Sequence, residues 1–451
     1  MLRPYEWASC YNFRVMRYHI WTEGCQMNEA DSEKLAAGLA KLGWEEAAKA
    51  TEADLAVVNT CVVRQKAEDR ATGYLGKLRK LKETREGGLQ IAVMGCMVGP
   101  RTDDLRSRFP YVDVWARPQS FEVVLRHVMP DSELGGEFWP DTFPEPKGPT
   151  AFVPIVHGCN KFCTYCIVPY RRGRERSRTI DDIAREVASH CAKGVREVTL
   201  LGQTVEAYGK DLPAGESGAK PDLASLFEAI HDTPALQRIR FLTSYPRDMT
   251  DRIVRSVADL AKVCEHFNIP LQAGDNDVLA QMRRGYTIEE YVGWVHRIRE
   301  IVPEATLSTD VIVGFCGETE AQFERTLGVL EQLRFDKVHV AAYSPRPGTI
   351  AWRHMEDTVP QDAKMRRLHA VEALQERVGS EINARLVGTV QEVLMEGEKD
   401  GVVTGRNRGN KLVHARGEIG KRPRIGERTD VRITKATAWS LQGEITAAVT
   451  A

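Results

Sequence analysis

The sequence predicts a mixed α/β protein in three parts: an open, doubly wound amino-terminal domain, a second domain of repeating βα units, and a small carboxyl-terminal antiparallel β-barrel. Three observations predict it. Short apolar runs alternate with helical patterns across residues 16–133 and again across 145–375, as parallel strands joined by crossover helices require. The stretch DSELGGEFWPDTFPEPKGPT between them is rich in proline, glycine and acids and resists both helix and strand. From 378 to 449 the segments shorten, alternate in polarity and are punctuated by turn residues, the pattern of a small barrel.

In the first region Tyr18–Trp21 reads as a strand and is followed by helical spacing from Asp31 to Leu42. A second strand follows at Leu55–Asn59, then a long amphipathic stretch to about Lys82 and a third strand at Ile91–Met94. A cysteine follows each strand: Cys25, Cys61 and Cys96. Ligands in open α/β sheets gather beyond the carboxyl ends of the strands, so the three thiols should converge on one edge. Each alone reads as an inert buried cysteine, the usual fate of a free thiol. Three at equivalent strand ends point instead to a shared site.

The second region places strands at Phe152–Ile155, Glu197–Leu201, Ile239–Leu242, His266–Pro270, Thr306–Ile312 and Lys337–Ala341. Helical spacing falls between them at Ile180–Cys191, Leu223–His231, Ile288–Val302 and Glu320–Leu333. The last region alternates at Val387–Leu394, Gly401–Gly405, Lys411–Val413 and Thr429–Ile433.

At 451 residues the chain is too long for one ordinary core, and 42% hydrophobic with 28% charged residues is a globular balance. No apolar run approaches the ~20 residues of a membrane span. The start MLRPYEWASC lacks the apolar segment of a signal peptide, so a cytoplasmic protein without a membrane partner is expected. In a reducing compartment ten cysteines suggest metal or catalytic use rather than disulfides. The net charge of −1 conceals two basic stretches. Lys161–Arg178 holds six basic residues against Glu175, and Thr404–Lys435 holds ten against Glu418, Glu427 and Asp430.

The most specific signal is Cys159, Cys163 and Cys166, spaced C-x3-C-x2-C. Three thiolates in one loop can hold a 4Fe-4S cluster and leave one iron without a protein ligand, free for a substrate or cofactor. The alternative is zinc with His157 as fourth ligand, although zinc sites usually close with a second ligand pair farther along the chain.

The run CNKFCTYCIVPYRRGRERSR, from Cys159 to Arg178, resembles the cluster loop of radical S-adenosylmethionine enzymes, specifically the methylthiotransferase family. The settings of the other cysteines, GCQMN, NTCVVR and MGCM, are similar to that family's amino-terminal motifs, and the resemblance implies a second, auxiliary 4Fe-4S cluster on Cys25, Cys61 and Cys96. It also implies a partial (β/α)6 radical barrel for the six βα units and an RNA-binding TRAM domain for the last region. S-adenosylmethionine would be cleaved at the cluster on Cys159, Cys163 and Cys166, and the auxiliary cluster would deliver sulfur. Tyr165 and the rim residues Gln203, Ser244, Gln272 and Asp310 fall in loops resembling those that surround S-adenosylmethionine.

The forms GCQMN and NTCVVR and the basic last region look most like the branch acting on isopentenylated adenosine beside the anticodon. Branches acting on threonylcarbamoyl-adenosine or a ribosomal-protein aspartate are the competing enzyme readings. A cluster-stabilised RNA-binding protein is the non-enzymatic one, and the basic face can equally be a solvated surface. Implied partners are the tRNA anticodon stem-loop, a reductant such as a flavodoxin or ferredoxin, and a sulfur donor, with the chain acting as a monomer. Two positions depart from the family pattern: Tyr245 stands where histidine is usual and Cys316 where proline is. Cys10, Cys191 and Cys264 match no motif and read as core or incidental. Residues 1–15 lie outside the resemblance, which leaves Met16 as an alternative start.

Overall fold

The computed structural model describes residues 15–62, 65–130, 142–215, 218–417 and 423–448; Cys10, the amino-terminal extension and most of the proline-rich linker lie outside them. The first domain is a five-stranded parallel sheet in the order Glu45–Glu46, Arg17–Glu23, Leu55–Thr60, Gln90–Gly95, Val114–Ala116. Its central strand, LAVVNT, is buried throughout, the composition expected of a parallel strand covered on both faces. The chain order reverses at Arg17–Glu23, whose neighbours are the second and third strands. The carboxyl ends of Arg17–Glu23 and Leu55–Thr60 therefore flank the crevice where ligands bind in such sheets. The outer strands have two and three residues, too few for periodicity to show.

The helix after the first strand spans Gln26–Lys41, starting a turn before its apolar spacing does. Its first turn buries Met27, Asn28 and Ala30, which face the next domain and the cysteine edge rather than their own sheet.

In the second domain the strands Thr150–Pro154, Glu197–Leu201, Arg238–Leu242, His266–Asn268, Thr306–Val313 and Lys337–Ala342 lie parallel in chain order. They form two runs of three. The Ile239–Val263 bridge and the Ser244 amide, donating to the Asn268 carbonyl at 2.8 Å, join the runs. The last strand alternates exposed and half-buried residues, as the edge of an unclosed arc would. Helix Gln361–Ala384 then packs on that arc and carries the chain onward, with Arg367 on Glu318 at 2.8 Å.

The carboxyl-terminal barrel closes in the order Val390–Lys399, Val402–Asn407, Leu412–Arg416, Ser440–Ala448, Arg428–Ala436. The expected small antiparallel barrel is present, with four of its five strand pairs antiparallel, while Leu412–Arg416 and Ser440–Ala448 pair in parallel. An odd number of strands cannot alternate direction all the way round a closed ring, so at least one pair must run parallel.

The barrel docks on the amino-terminal ends of the second domain's strands. Buried Arg238 reaches Glu392 at 2.8 Å, Arg408 holds Glu265 at 2.5 Å and Lys411 holds Asp336 at 2.5 Å. Part of the basic stretch is thus spent on carboxylates of this protein, leaving Arg416, Arg424, Arg432 and Lys435 among its exposed cations. The amino-terminal domain sits at the opposite end, where Met27 and Ala30 pack on Leu201 and Leu242. No helix among the described residues is long and apolar enough to cross a membrane.

Candidate functional site: two cysteine trios at one rim

The loop carrying Cys159, Cys163 and Cys166 is fastened on both sides. Its base is the two-residue ladder of Val156–His157 with Arg176–Ser177. The Cys159 amide donates to the Gly173 carbonyl at 3.1 Å, and Thr164 is held by the Met282 carbonyl through its amide and by the Gln281 carbonyl through its hydroxyl. Gly158 has φ +73, and a Cβ there would lie 2.1 Å from the Arg174 oxygen, so glycine is required where the two arms cross.

Burial pushes the Cys159 thiol up to about 11, with Glu175 and Cys163 adding to it, and the Cys166 thiol up to about 12, with Cys163 and Cys159 adding to it. Positive charge from iron is what would hold them as thiolates at neutral pH. His157 is buried and neutral, its pKa driven well down by burial and by Arg172 and Arg178. Among the described residues no three Cys, His, Asp or Glu side chains converge as ligands of a single ion do. The donor set of three thiols in one fastened loop, two buried and Cys166 half-buried, fits a cluster.

The rim residues expected around the cofactor form a connected set. The Gln272 amide donates to the Asp310 carbonyl at 2.8 Å, and the Asp310 carboxylate accepts from Asn268 at 3.2 Å. Asn268 in turn holds the Ser244 amide through its carbonyl. Tyr165 accepts a hydrogen bond from Arg284 at 3.4 Å and meets Phe315 edge-on. Gln203 is half-buried on the loop whose Val205 amide donates to the Thr243 carbonyl at 3.1 Å.

Tyr245 is buried, and its hydroxyl donates to the Arg284 carbonyl, tying two rim loops together. Cys316 is buried beside Tyr343, while Cys191 lies in the apolar core and Cys264 is fully buried.

Cys25, Cys61 and Cys96 stand at the carboxyl ends of three adjacent strands, and each of the other two raises the pKa of Cys96. The motifs around them are welded to one another. The Cys25 thiol donates to Asn28 at 3.3 Å. Asn28 donates to Asn59 at 2.9 Å and to the Thr60 carbonyl at 3.1 Å, and Asn59 donates back to the Asn28 carbonyl at 2.7 Å. The Cys96 amide donates to the Thr60 carbonyl at 2.8 Å. Gly95, at φ +94, lets Asn59 approach to where a Cβ would be 2.4 Å from its Oδ1. The asparagines of GCQMN and NTC thus hold the cysteine backbones in register.

The second domain completes this site. Arg172, just beyond Cys159, Cys163 and Cys166 in the same loop, pairs with Asp31 at 2.8 Å, both side chains 1% exposed, and its charge bears on Cys25 and Cys96. Removing one partner of a buried pair strands the other charge, so Asp31→Ala is expected to cost about 3–5 kcal/mol. Chemical denaturation of the full chain checks this, and a cost below ~1 kcal/mol would contradict it. Sequence reasoning missed this pair because its members lie in different domains. It also missed Glu206 and Arg284, which no spacing rule marks.

Glu206 lies wholly inside the rim, accepting from the Tyr245 amide at 3.0 Å. Burial raises its pKa from 4.5 to about 7. Between those values the folded chain keeps a proton that the unfolded chain has lost, so stability falls as pH rises through that window, by roughly 3 kcal/mol at most. Glu206→Gln removes the dependence. Its melting temperature relative to the parent chain should rise from about pH 5 to about pH 8, and a constant difference would contradict the assignment.

Comparison with known proteins adds three domain matches. Residues 17–117 match the Uncharacterized protein family UPF0004, residues 153–330 the Radical SAM superfamily and residues 384–446 the TRAM domain. The chain is 44% identical over 430 residues to a tRNA-2-methylthio-N(6)-dimethylallyladenosine synthase of Dehalococcoides mccartyi, covering 95% of this chain and 98% of that protein. Proteins of the same name from Herpetosiphon aurantiacus and Dictyoglomus thermophilum are each 42% identical over 95% of this chain, covering 97% and 98% of theirs. Among solved structures, the radical S-adenosylmethionine methyltransferase TsrM from Kitasatospora setae superposes with TM-score 0.56 at 13% identity, covering 75% of this chain and 74% of that one. The radical enzyme OxsB superposes with TM-score 0.52 at 11% identity, covering 80% and 56%. These two likenesses concern the fold.

Proposed function

The chain belongs to the family of tRNA-2-methylthio-N(6)-dimethylallyladenosine synthases, and from that premise we propose that it adds a methylthio group to carbon-2 of N6-dimethylallyladenosine beside the anticodon of tRNA. The observation that carries the reading is the pair of three-cysteine sites at one rim, with Arg172 of one cysteine loop buried against the helix that begins at the other. Cys159, Cys163 and Cys166 would hold one 4Fe-4S cluster, and Cys25, Cys61 and Cys96 the second. Carbon-2 carries a hydrogen that no side-chain base removes at neutral pH; the clusters, with S-adenosylmethionine, would supply the electron, the radical chemistry and the sulfur instead.

The chain's own residues bind and orient. Tyr165, Gln203, Ser244, Gln272 and Asp310 would line the S-adenosylmethionine pocket. The network of Asn28, Asn59 and Gly95 holds the second trio rigid. Division of labour follows the domains: 16–133 for the auxiliary site, 145–375 for radical chemistry, and 378–449 for the anticodon stem-loop. There the exposed Arg416, Arg424, Arg432 and Lys435 would neutralise phosphates. We further propose a cytoplasmic monomer served by a flavodoxin or ferredoxin and by a sulfur donor.

The test is mass spectrometry of tRNA nucleosides from a strain lacking this gene, with and without the gene restored. Gain of methylthio on isopentenyladenosine supports the proposal. Gain on threonylcarbamoyl-adenosine overturns the substrate, and no change in either overturns the tRNA reading.

A further inference from the structure

Arg284 is 6% exposed and wholly occupied by groups that carry no carboxylate. Nε donates to the Tyr286 hydroxyl at 3.0 Å, and Nη2 to the Pro270 carbonyl at 3.3 Å. Nη1 points to the Cys163 sulfur at 3.4 Å and to the Tyr165 hydroxyl at 3.4 Å. The rings of Tyr245 and Tyr286 lie 4.9 and 5.2 Å from the guanidinium. Other buried arginines are neutralised directly: Arg172 by Asp31, Arg178 by Glu186, Arg240 by Glu197 and Arg367 by Glu318. Burying a guanidinium without an anion is costly, and of the groups it touches the Cys163 sulfur becomes the anion once it binds iron.

We infer that Arg284 is the charge partner of the cluster on Cys159, Cys163 and Cys166, a positioning residue that grips Cys163 and favours the cluster's reduced state. The inference rests on the cluster assignment proposed above. Reduction adds one electron from an external reductant such as dithionite and breaks no bond. The cluster's charge becomes more negative by one, so a fixed cation 3.4 Å from a ligand sulfur stabilises the reduced form and raises the potential. Tyr245, one of the two residues that depart from the family pattern, contributes by holding the Arg284 carbonyl.

The experiment is an EPR-monitored redox titration of the full chain, reconstituted anaerobically with Cys25→Ala, Cys61→Ala and Cys96→Ala so that one cluster reports. Without S-adenosylmethionine, Arg284→Gln should shift the oxidised-to-reduced ratio at a fixed potential about tenfold toward oxidised, a midpoint ~59 mV lower for one electron. Arg284→Lys should move the midpoint by less than half as much, under ~30 mV. An unchanged midpoint, or a difference that appears only when S-adenosylmethionine is added, overturns the inference; the latter would assign the arginine to the cofactor's carboxylate.

A second readout is denaturation of the iron-free chain, where a merely structural arginine would be missed and a charge partner would not. Arg284→Gln should leave that form as stable as the parent or more so, even if the variant takes up no iron. Loss of stability in the iron-free form overturns the inference. A parent chain that takes up no cluster overturns the cluster assignment together with it.

Discussion

Replacing Cys163 with alanine is expected to abolish both 5′-deoxyadenosine formation and methylthio transfer, each by at least ~10³-fold. Cys163 is the middle thiol of the proposed cluster loop, and the thiols on either side would be left with burial opposing their ionisation. With two thiols in place of three, the loop cannot hold a cluster that keeps one iron open for S-adenosylmethionine. The loop itself should survive, because its fastenings at Cys159, Thr164 and Gly158 do not use the Cys163 side chain. Anaerobic incubation with S-adenosylmethionine and dithionite, followed by chromatography of the products, checks this. Residual 5′-deoxyadenosine above about 0.1% of the parent rate would contradict it.

Replacing Cys61 with alanine is expected to separate the two products. 5′-Deoxyadenosine should still form at within about twofold of the parent rate, whereas the methylthiolated nucleoside should vanish. Cys61 follows a strand of a different sheet from the loop of Cys159, Cys163 and Cys166, and the bonds that hold its neighbours run through Asn28, Asn59 and Thr60. The Arg172–Asp31 pair between the two sites does not involve it. Iron content should fall from about eight to about four atoms per chain if the trio loses its cluster. Equal loss of both products would mean that the sites are not independent and that the sulfur-delivery role of the second trio is wrong.

The elements with the strongest local patterns were legible in the sequence. Leu55–Thr60 and Gln90–Gly95 are apolar runs of ordinary strand length, and Leu223–His231 and Glu320–Leu333 carry clear helical spacing, so each stands within a residue of where the pattern put it. The edge strands Glu45–Glu46 and Val114–Ala116 were not, because register beside longer neighbours makes them strands and their composition does not. Helix Gln361–Ala384 also escaped notice, since it buries Lys364, Arg367, Gln375 and Asn383 among its contacts and so blurs its own apolar stripe. The parallel pair in the last barrel follows from closure of five strands, a property of the whole ring.

The site divides in the same way. All six cysteines were visible because spacing and position after strands are local facts. What surrounds them was not. Asn28 and Asn59 look like ordinary polar residues until the sheet brings them to 2.9 Å. Arg172 and Arg284 each lie more than a hundred residues from the group they serve, Asp31 and Cys163 respectively. Basic residues expected to face RNA proved partly committed to Glu265 and Asp336, which only the docking of two domains could reveal.

The central claim meets its most direct test with purified protein: the anaerobically reconstituted chain is given S-adenosylmethionine, dithionite and tRNA bearing N6-dimethylallyladenosine, and the nucleosides are resolved by mass spectrometry. The account predicts 2-methylthio-N6-dimethylallyladenosine together with 5′-deoxyadenosine. Unmodified N6-dimethylallyladenosine with no 5′-deoxyadenosine, from protein shown to carry both clusters, would contradict it.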